Sequence, residues 1–361
     1  MKAVIPAGGF GTRLRPLTYT RPKPLLPIYN STILGFILEH LSSFNLIEEV
    51  IIAANKEFTI IKDIFKDEYK GMQIKYVWEE KRLGGVACIK NAAKNIEDDF
   101  LVFLGDNISN VNIKEFLEFH KRKNSDSSIM LVKSKTPWLY GVPLIDENDY
   151  ITSLLEKPKN IELKETYIAT GIYLFKRDAL EPVDERNFID HTGEIFPIIL
   201  KHGKKVSGFK TSAYWSDIGD FKNYLETNRW VLENNQGRFP AASSNIDPLS
   251  YAAPSSTITP TTKVEASLIL DESVVKDNCE ISNSMIYENV IVNEGCRILN
   301  SIIAEHTVIG DNVIVENSMI GAGVTVKDNS VIKNARIWPK IIIEENSRLE
   351  GTIQHYYLPL K

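Results

Sequence analysis

The chain has 361 residues and a formal net charge of −5, with 43% hydrophobic and 25% charged residues. These proportions are typical of a globular protein, and the length allows two domains with separate cores. The acidic balance disfavours binding to nucleic acid or membrane surfaces. Three cysteines without metal-binding spacing, and the lack of a long apolar run, lead us to expect a cytoplasmic protein.

The first distinctive feature is a loop rich in glycine, proline and basic residues. Ala3–Ile5 predicts a buried first strand, and residues 6–27 follow it as PAGGFGTRLRPLTYTRPKPLLP. The loop contains three glycines and four cations: Gly8, Gly9, Gly11, Arg13, Arg15, Arg21 and Lys23. Glycines let a backbone approach a ligand closely, and clustered cations attract phosphate, so we expect a nucleoside triphosphate site. The alternative is a surface turn with solvated basic residues.

Helical and strand patterns then alternate as far as about residue 125. They are predicted in the order helix 33–45, strand Val50–Ala53, helix 57–69, strand Ile74–Trp78, helix 85–95 and strand Phe100–Leu104. This alternation predicts an α/β domain with a mainly parallel, doubly wound, Rossmann-like sheet. Ligands of such sheets bind beyond the carboxyl ends of the strands, so the opening loop and the residues after Leu104 should meet.

Acidic residues follow two of these strands. Asp106 comes directly after Leu104-Gly105, where a carboxylate can hold a divalent cation over a phosphate. The alternative for Asp106 is a turn residue that caps the next helix. Glu79 and Glu80 follow the preceding strand, and guanine presents N–H donors that such a carboxylate would suit. The alternative for both glutamates is simple exposure to solvent.

The opening loop resembles the signature of the sugar-phosphate nucleotidyltransferases, GGxGTRLRPLT followed by PKPLLP. The resemblance implies transfer of a nucleotidyl group from a nucleoside triphosphate to a sugar 1-phosphate, with release of pyrophosphate. It also implies that Asp106, in an LxGD motif, binds Mg²⁺. The nucleotide-binding residues that it implies are Gly8, Gly9, Gly11, Thr12, Arg13, Lys23, Glu80 and Gly84, with Arg13 and Lys23 acting on the triphosphate.

Later segments resemble further motifs of the same family. They are Tyr140-Gly141-Val142, Glu156-Lys157-Pro158, Ala169-Thr170-Gly171-Ile172-Tyr173 and Trp215-Ser216-Asp217-Ile218-Gly219. The resemblance implies that Gly141, Glu156, Lys157 and Thr170 bind the sugar phosphate, and that Asp217 is the second metal-binding carboxylate. Ala169 departs from the family's usual asparagine. The alternative for Glu156 and Lys157 is an exposed charge pair.

Residues 193–210, with Glu194-Ile195-Phe196-Pro197, look more like mannose-1-phosphate guanylyltransferases than thymidylyltransferases. This favours GTP and mannose 1-phosphate as substrates. Glucose 1-phosphate with dTTP or UTP is the nearest alternative. Another alternative is a sugar-nucleotide sensor, a protein of the same fold that binds the ligand without turnover.

The C-terminal part is an internal repeat. Residues 243–262 are rich in Ser, Thr, Pro and Ala, which indicates a linker or an irregular first coil. Beyond them, aliphatic residues recur every six positions in trios that lie 17 residues apart: Ile269/Val275/Ile281, Ile286/Val292/Ile298, Ile303/Ile309/Val315, Ile320/Val326/Ile332 and Ile337/Ile343/Leu349. This period, with recurring Asn-Ser pairs, predicts a triangular prism of parallel strands with about five or six coils.

This prism resembles the left-handed β-helix of hexapeptide-repeat acyltransferases, and its handedness is expected from that resemblance. His306 lies within the coils, but an isolated corner histidine is more often structural than a base, so acyl transfer is a minor alternative. We expect the prism to be a scaffold and a homo-oligomer contact. The predicted domains are 1–240 (nucleotidyltransferase), 241–262 (linker or first coil), 263–350 (β-helix) and 351–361 (tail).

Overall fold

The computed structural model describes residues 1–80, 84–158, 166–184, 195–235 and 245–353. The α-helices of these residues are α1 (Ile33–Ser42), α2 (Ile60–Phe65), α3 (Gly85–Ala93), α4 (Ile113–Lys123), α5 (Ile195–Lys201) and α6 (Phe221–Asn234). Short 3-10 helices cover Thr12–Leu14, Leu17–Tyr19, Lys23–Leu25, Lys56–Phe58 and Pro137–Leu139. Within the described ranges, no helix is both long enough and apolar enough to cross a membrane.

Among the described residues, fourteen strands precede the repeat. They are β1 (Lys2–Pro6), β2 (Pro27–Ile28), β3 (Ser31–Thr32), β4 (Glu49–Asn55), β5 (Glu68–Tyr69), β6 (Met72–Glu79), β7 (Phe100–Phe103), β8 (Asn107–Ser109), β9 (Ser127–Ser134), β10 (Gly141–Ile145), β11 (Ile151–Glu156), β12 (Thr166–Phe175), β13 (Val206–Lys210) and β14 (Trp215–Asp217). The chain divides into two compact units. Unit 1 is Met1–Gly9 with Ile33–Asp217, and unit 2 is Phe10–Thr32 with Ile218–Lys361.

Unit 1 is built on an eight-stranded sheet with the order β13-β9-β12-β7-β1-β4-β6-β5. The central strand β1 is parallel to both β4 and β7, and its residues Ala3–Ile5 are fully buried, as is usual for a parallel sheet covered by helices. This confirms the predicted doubly wound sheet. Two strands are exceptions: the edge strand β5 is antiparallel to β6, and β12 is antiparallel to β7 and β9, because a hairpin (β10–β11) precedes it in place of a crossover helix.

The helix predicted over 57–69 is wrong in extent. The α-helix covers only Ile60–Phe65, because Lys66 adopts φ 56° and Glu68–Tyr69 pairs antiparallel with β6. The local sequence pattern alone favours a helix here, whereas the edge of the sheet is available for pairing only in the folded unit. Sheet pairing therefore overrides the local preference.

Unit 2 contains the repeat as a parallel β-helix. Its strands are β15 (Tyr251–Ala252), β16 (Thr257–Ile258), β17 (Lys263–Glu265), β18 (Leu268–Ile269), β19 (Val274–Val275), β20 (Glu280–Ser282), β21 (Met285–Ile286), β22 (Ile291–Val292), β23 (Arg297–Leu299), β24 (Ile302–Ile303), β25 (Val308–Ile309), β26 (Ile314–Glu316), β27 (Met319–Ile320), β28 (Thr325–Val326), β29 (Val331–Ile337), β30 (Ile342–Ile343) and β31 (Arg348–Ile353). The pairing follows the predicted repeat of 17, with Ile281 opposite Ile298 and Ile298 opposite Val315. These aliphatic side chains form one buried column, which confirms the predicted β-helix.

The Asn-Ser pairs are explained by the coil corners. Asn283, Asn300 and Asn317 adopt φ values of 45°, 44° and 48°, a left-handed conformation that asparagine tolerates better than most residues. The following serine is buried and accepts a hydrogen bond from the next coil, as when Ser301 N donates to Ser284 Oγ at 3.1 Å. The repeat thus satisfies its buried corner amides with serine hydroxyls. Residues 241–244 of the predicted linker lie outside the described residues, whereas β15 and β16 pair in parallel with β18 and β19 of the next coil.

Candidate active site

The predicted phosphate-binding loop, called the phosphate-binding loop below and defined as Phe10–Thr32, belongs to unit 2. Gly11 adopts φ 60°, and a Cβ there would lie 2.9 Å from Thr18 Cγ2 and 3.1 Å from Lys23 Cβ. Thr18 Oγ1 donates to the Gly11 carbonyl at 2.9 Å, which holds the turn closed. Glycine is therefore required at this position, and the turn packs directly on the stem of Lys23. Lys23 is 8% exposed, whereas Thr12 and Arg13 are exposed.

The cations of this loop have different partners. The Arg21 guanidinium donates to both carboxylate oxygens of Glu288, and the Arg15 guanidinium lies 4.7 Å from the centre of the Tyr19 ring. Burial by itself lowers the pKa of Arg21, but the hydrogen bond and charge of Glu288 outweigh it and raise the pKa. The sequence grouped Arg21 with the phosphate-binding cations, but its guanidinium is engaged by a carboxylate.

In unit 1, the ends of β1 and β7 are joined directly before Asp106. Gly105 N donates to the Pro6 carbonyl at 3.0 Å, and a Cβ on Gly105 would lie 2.7 Å from that oxygen. Only glycine permits this approach of two backbones. Asp106 is thereby held beside the residues that lead into the glycine turn at Gly8, as the sheet topology predicts.

Asp217 is brought to the same edge by strand pairing. The antiparallel pair β14–β8 sets Asp217 opposite Asn107, the neighbour of Asp106, and both aspartates are half-buried. The Tyr140 hydroxyl donates to Asp217 Oδ1 at 2.9 Å. Among the described residues there is no group of three or more acidic, histidine or cysteine side chains that could hold a metal. Two carboxylates fit Mg²⁺, which usually takes one or two and completes its shell with phosphate oxygens and water.

Three of the predicted sugar-binding motifs converge in unit 1. Gly141 pairs with Glu156 in β10–β11, and a Cβ on Gly141 would lie 3.2 Å from Glu156 Oε2 and 3.7 Å from Ala169 Cβ. Lys157 N donates to the Tyr140 carbonyl at 3.1 Å. The Lys157 ammonium lies 3.8 Å from Glu156 Oε1, with both side chains partly exposed.

The backbone at Lys157 is unusual, because this residue adopts φ 43°. A left-handed conformation is uncommon for lysine and is more frequent at functional sites. It follows the last residue of β11 and turns the chain away from the hairpin. Lys157 is thus held at the end of the hairpin by its backbone.

Thr170 lies in a bulge of β12, between Ala169 and Tyr173. Its carbonyl accepts a hydrogen bond from Asn107 Nδ2 at 2.5 Å, and its hydroxyl donates to the Met130 carbonyl at 2.9 Å. Thr170 is only 2% exposed. Its backbone therefore connects the sugar-binding motifs to the segment after Asp106, while its side chain is used within the core.

Adjacent glutamates at the end of β6 lie in opposite environments. Glu79 is 6% exposed, and its Oε1 has no hydrogen-bond partner among the described residues. A Cβ on Gly8 would lie 3.7 Å from Glu79 Oε2. The Glu80 side chain is 83% exposed and lies 3.6 Å from the Lys56 ammonium. A buried carboxylate oxygen without a donor is costly, so Glu79 is the better candidate for a ligand contact.

The segment after these glutamates is only partly described, because residues 81–83 lie outside the described ranges. Gly84 adopts φ 87° and directly precedes α3. Cys88 in that helix is buried, and burial, followed by the negative charge of Glu79, raises the pKa of its thiol well above the ordinary value. Cys88 is thus a neutral neighbour of Glu79.

Sequence reasoning missed two functional features. Tyr140 was treated only as part of a motif, and its hydroxyl contact with Asp217 depends on residues 77 positions apart. The burial of Glu79 over Glu80 was left open, and strand alternation at the end of β6 is the only local signal for it. His306 is an exposed corner residue of the coil, with φ 59°.

Comparison with known proteins adds independent information. The family model described as Nucleotidyl transferase matches residues 2–234, and the model described as GMPPB C-terminal domain matches residues 243–353. A mannose-1-phosphate guanylyltransferase of Mycobacterium tuberculosis is 32% identical over 62% of this chain and 62% of its own length. A glucose-1-phosphate thymidylyltransferase of Streptomyces griseus is 30% identical over 66% of this chain and 68% of its own length.

A solved structure shares the fold of the first part of the chain. The structure of HddC from Yersinia pseudotuberculosis, complexed with GMP-PN, is 28% identical with a TM-score of 0.55, over 64% of this chain and 99% of that one. The first family model covers more than half of the sequence, within which the glycine turn and the motifs around Asp106 and Asp217 lie. The chain therefore belongs to the nucleotidyl transferase family.

Proposed function

We propose that this protein transfers GMP from GTP to mannose 1-phosphate, forming GDP-mannose and pyrophosphate. The observation that supports this most strongly is the hydrogen bond from Tyr140 to Asp217, which joins a sugar-binding motif to a metal-binding carboxylate. The register of β14 with β8 adds the segment of Asp106. Groups suited to a sugar phosphate and to a metal-bound triphosphate thus lie at one edge of unit 1.

The reaction is an in-line displacement at phosphorus. A phosphate oxygen of the sugar 1-phosphate forms a bond to the α-phosphorus of GTP, and the bond from that phosphorus to the oxygen shared with the β-phosphate breaks. Pyrophosphate leaves with that oxygen. No general base is needed, because the attacking phosphate is already ionised near neutral pH. Catalysis then depends on orientation and on neutralisation of charge.

We assign the residues of this chain as follows. Arg13 and Lys23 stabilise the negative charge of the departing pyrophosphate, and Lys157 orients the attacking phosphate. Glu156 and the Gly141 amide bind sugar hydroxyls. Mg²⁺, held by Asp106 and Asp217, would neutralise the phosphate oxygens when bound. The glycine turn of Gly8, Gly9 and Gly11, with Thr12, covers the triphosphate.

The preference for GTP is argued from Glu79. The guanine edge presents a ring N–H and an exocyclic amino group, so one carboxylate can accept two hydrogen bonds from it. Uracil and thymine offer one ring N–H on the corresponding edge. A buried carboxylate oxygen without a donor among the described residues is suited to a base with two donors. Glu80 and Gly84 flank this position and remain proposed contacts of the nucleotide.

The preference for mannose 1-phosphate is supported by the similarity to the mycobacterial guanylyltransferase. Of the sequence features that favoured it, Glu194 lies outside the described residues, whereas Ile195 and Phe196 are buried in α5. We further propose that residues 1–240 form the catalytic domain, and that the β-helix (263–350) mediates self-association.

The test is a matrix of GTP, dTTP and UTP against mannose 1-phosphate and glucose 1-phosphate, with Mg²⁺ and with released pyrophosphate as the readout. We expect the highest kcat/KM for GTP with mannose 1-phosphate. A higher value for dTTP or UTP with glucose 1-phosphate would support the thymidylyl- or uridylyltransferase alternative and overturn the proposed substrates. Binding of GTP without pyrophosphate release from any pair would favour a sugar-nucleotide sensor.

A further inference from the structure

The phosphate-binding loop is bonded to successive coils of the β-helix within unit 2. The Arg21 guanidinium donates to both oxygens of Glu288, at 3.1 and 3.0 Å, and lies 3.8 Å from Glu305. The two glutamates occupy equivalent positions in adjacent coils. The side chains of Arg21, Glu288 and Glu305 are 22%, 29% and 13% exposed, so these charges are partly shielded from solvent.

A second contact reaches the loop at Pro27, the first residue of its short hairpin β2–β3. Tyr224 and Tyr287 are fully buried, and their hydroxyl oxygens are 2.8 Å apart. The Tyr224 hydroxyl donates to the Pro27 carbonyl. The Tyr287 ring also lies under the Arg21 guanidinium, 5.5 Å from its carbon. Tyr287 and Glu288 therefore hold the loop from neighbouring positions of one coil.

A third contact comes from later coils. The Arg336 guanidinium donates to the Arg13 carbonyl at 3.2 Å, and the Tyr19 and Trp338 ring centres are 5.5 Å apart. The β-helix thus touches the loop at Arg13, Tyr19 and Arg21, which precede Lys23 along the chain. The strongest of these contacts is the pair of charge-assisted hydrogen bonds from Arg21 to Glu288. Two parallel bonds between charged groups add energy and also fix the direction of the guanidinium.

We infer that the β-helix positions the phosphate-binding loop for catalysis, with Glu288 and Glu305 acting through Arg21 to orient Arg13 and Lys23. This inference rests on the proposed function, in which Arg13 and Lys23 act on the triphosphate. Glu288 and Glu305 are positioning residues, because neither is assigned a contact with substrate. The β-helix then contributes to the transfer reaction itself, in addition to any role in assembly.

The physical reason lies in what a catalytic loop requires. Rate enhancement by preorganised cations is lost when they must be reoriented during the reaction, and misplacement by about 1 Å can cost roughly 100-fold in rate. Arg21 lies two residues before Lys23 along the chain. Pairing Arg21 with two carboxylates removes its charge from competition for the phosphate and fixes the backbone that carries Lys23.

The experiment compares two matched pairs of glutamates in the full chain. The first variant is Glu288→Gln with Glu305→Gln, which keeps side-chain shape and removes both charges. The control is Glu280→Gln with Glu316→Gln, because Arg297 lies 3.0 Å from Glu280 and 3.9 Å from Glu316, and its ion pairs among the described residues are with the coils and not with the loop. Each protein is assayed for kcat, KM and Tm, and for amide hydrogen exchange of Phe10–Thr32.

We expect the first variant to lose roughly 10- to 100-fold in kcat and to exchange loop amides faster. The control should keep the kcat and the loop amide exchange of the wild type, while its Tm shifts by about as much as that of the first variant. Exchanging the charges, by Arg21→Glu with Glu288→Arg, should recover part of the kcat that Arg21→Glu alone loses. Arg21→Lys should have a lower kcat than the wild type, because lysine cannot make two parallel hydrogen bonds to Glu288.

The inference is overturned if the first variant keeps the kcat and the loop exchange of the wild type. It is also overturned if both pairs of substitutions lower kcat in proportion to Tm, since the acids would then only stabilise the unit. Failure of the proposed function is a separate result, in which the wild type releases no pyrophosphate from any substrate pair. In that case, amide hydrogen exchange still reports whether Glu288 and Glu305 hold the loop.

Discussion

Glu79 and Glu80 are adjacent candidates for base recognition that differ sharply in burial. They follow each other along the chain, yet one carboxylate is 6% exposed beside Gly8 and the other extends into solvent toward Lys56. Successive side chains of a strand point to opposite faces, so the end of β6 can direct only one of them inward. The sequence indicates an acidic base-recognition segment, and only the register of β6 with β4 distinguishes the two residues.

The first prediction concerns base selection. Glu79→Gln replaces one acceptor oxygen with a donor, so the ratio of kcat/KM for GTP to that for UTP should fall by about tenfold or more. Glu80→Gln should change this ratio less. The control is Glu68→Gln, an exposed residue of β5 paired with the same strand, which should leave the ratio unchanged. An unchanged ratio in Glu79→Gln would remove Glu79 from base recognition.

A second prediction concerns the glycine turn. Gly11→Ala must adopt φ 60° and brings a methyl group within 3.1 Å of Lys23 Cβ, so we expect turnover to fall at least tenfold while the chain stays folded. Gly71→Ala is the matched control, because Gly71 has φ 84° with open space around its Cβ. That control should lose roughly 1 kcal/mol of stability and keep its turnover. Equal turnover in both variants would contradict the packing account of Lys23.

At the scale of elements, pairing of short strands assembles the carboxylates. Sequence patterns predict β7 and identify Asp106 and Asp217 separately. They do not predict β8 or β14, because strands of three residues carry little periodic signal. The β-helix is the opposite case: its period of 17 persists over many coils, so local noise averages out and the core residues can be listed from sequence alone.

The third prediction tests the Tyr140–Asp217 hydrogen bond. Tyr140→Phe removes the donor and keeps the ring, which packs edge-on with Trp215 at 5.3 Å. The Mg²⁺ concentration for half-maximal activity should rise roughly tenfold, as is common when a residue that orients a metal ligand is lost. Tyr150→Phe, which removes a hydroxyl that donates to the Lys123 carbonyl, is the control and should leave it unchanged. Identical Mg²⁺ dependence in both variants would show that Tyr140 does not orient Asp217.

A fourth prediction concerns pH and α1. Burial lowers the pKa of His40, although its hydrogen bond to the Val111 carbonyl at 2.9 Å opposes this. Below the ordinary value of 6.5, the unfolded chain therefore binds a proton that the folded chain does not, and stability falls as pH falls. His40→Gln removes this titration. The urea midpoint should drop less between pH 7.5 and 5.5 in His40→Gln than in the wild type, and an equal drop would contradict the assigned shift.

At the scale of the whole molecule, the chain order does not match the compact units. Residues 10–32 are an insertion between β1 and α1 in sequence, yet they group with the C-terminal repeat. The pairing of Arg21 with Glu288 joins residues 267 positions apart. No local pattern predicts such a pair, because the charge of Arg21 is equally suited to phosphate. The sequence therefore predicts which chemistry the loop performs, but does not predict which part of the chain supports it.

The central claim is that the residues of the glycine loop and of the aspartate motifs carry out nucleotidyl transfer. The most direct measurement is pyrophosphate release from GTP and mannose 1-phosphate by the full chain, by Lys23→Met and by Asp106→Asn, with circular dichroism as the check on folding. We predict turnover by the wild type, and a fall of about 100-fold or more in each variant without loss of folded structure. Turnover equal to the wild type in either folded variant would contradict the account.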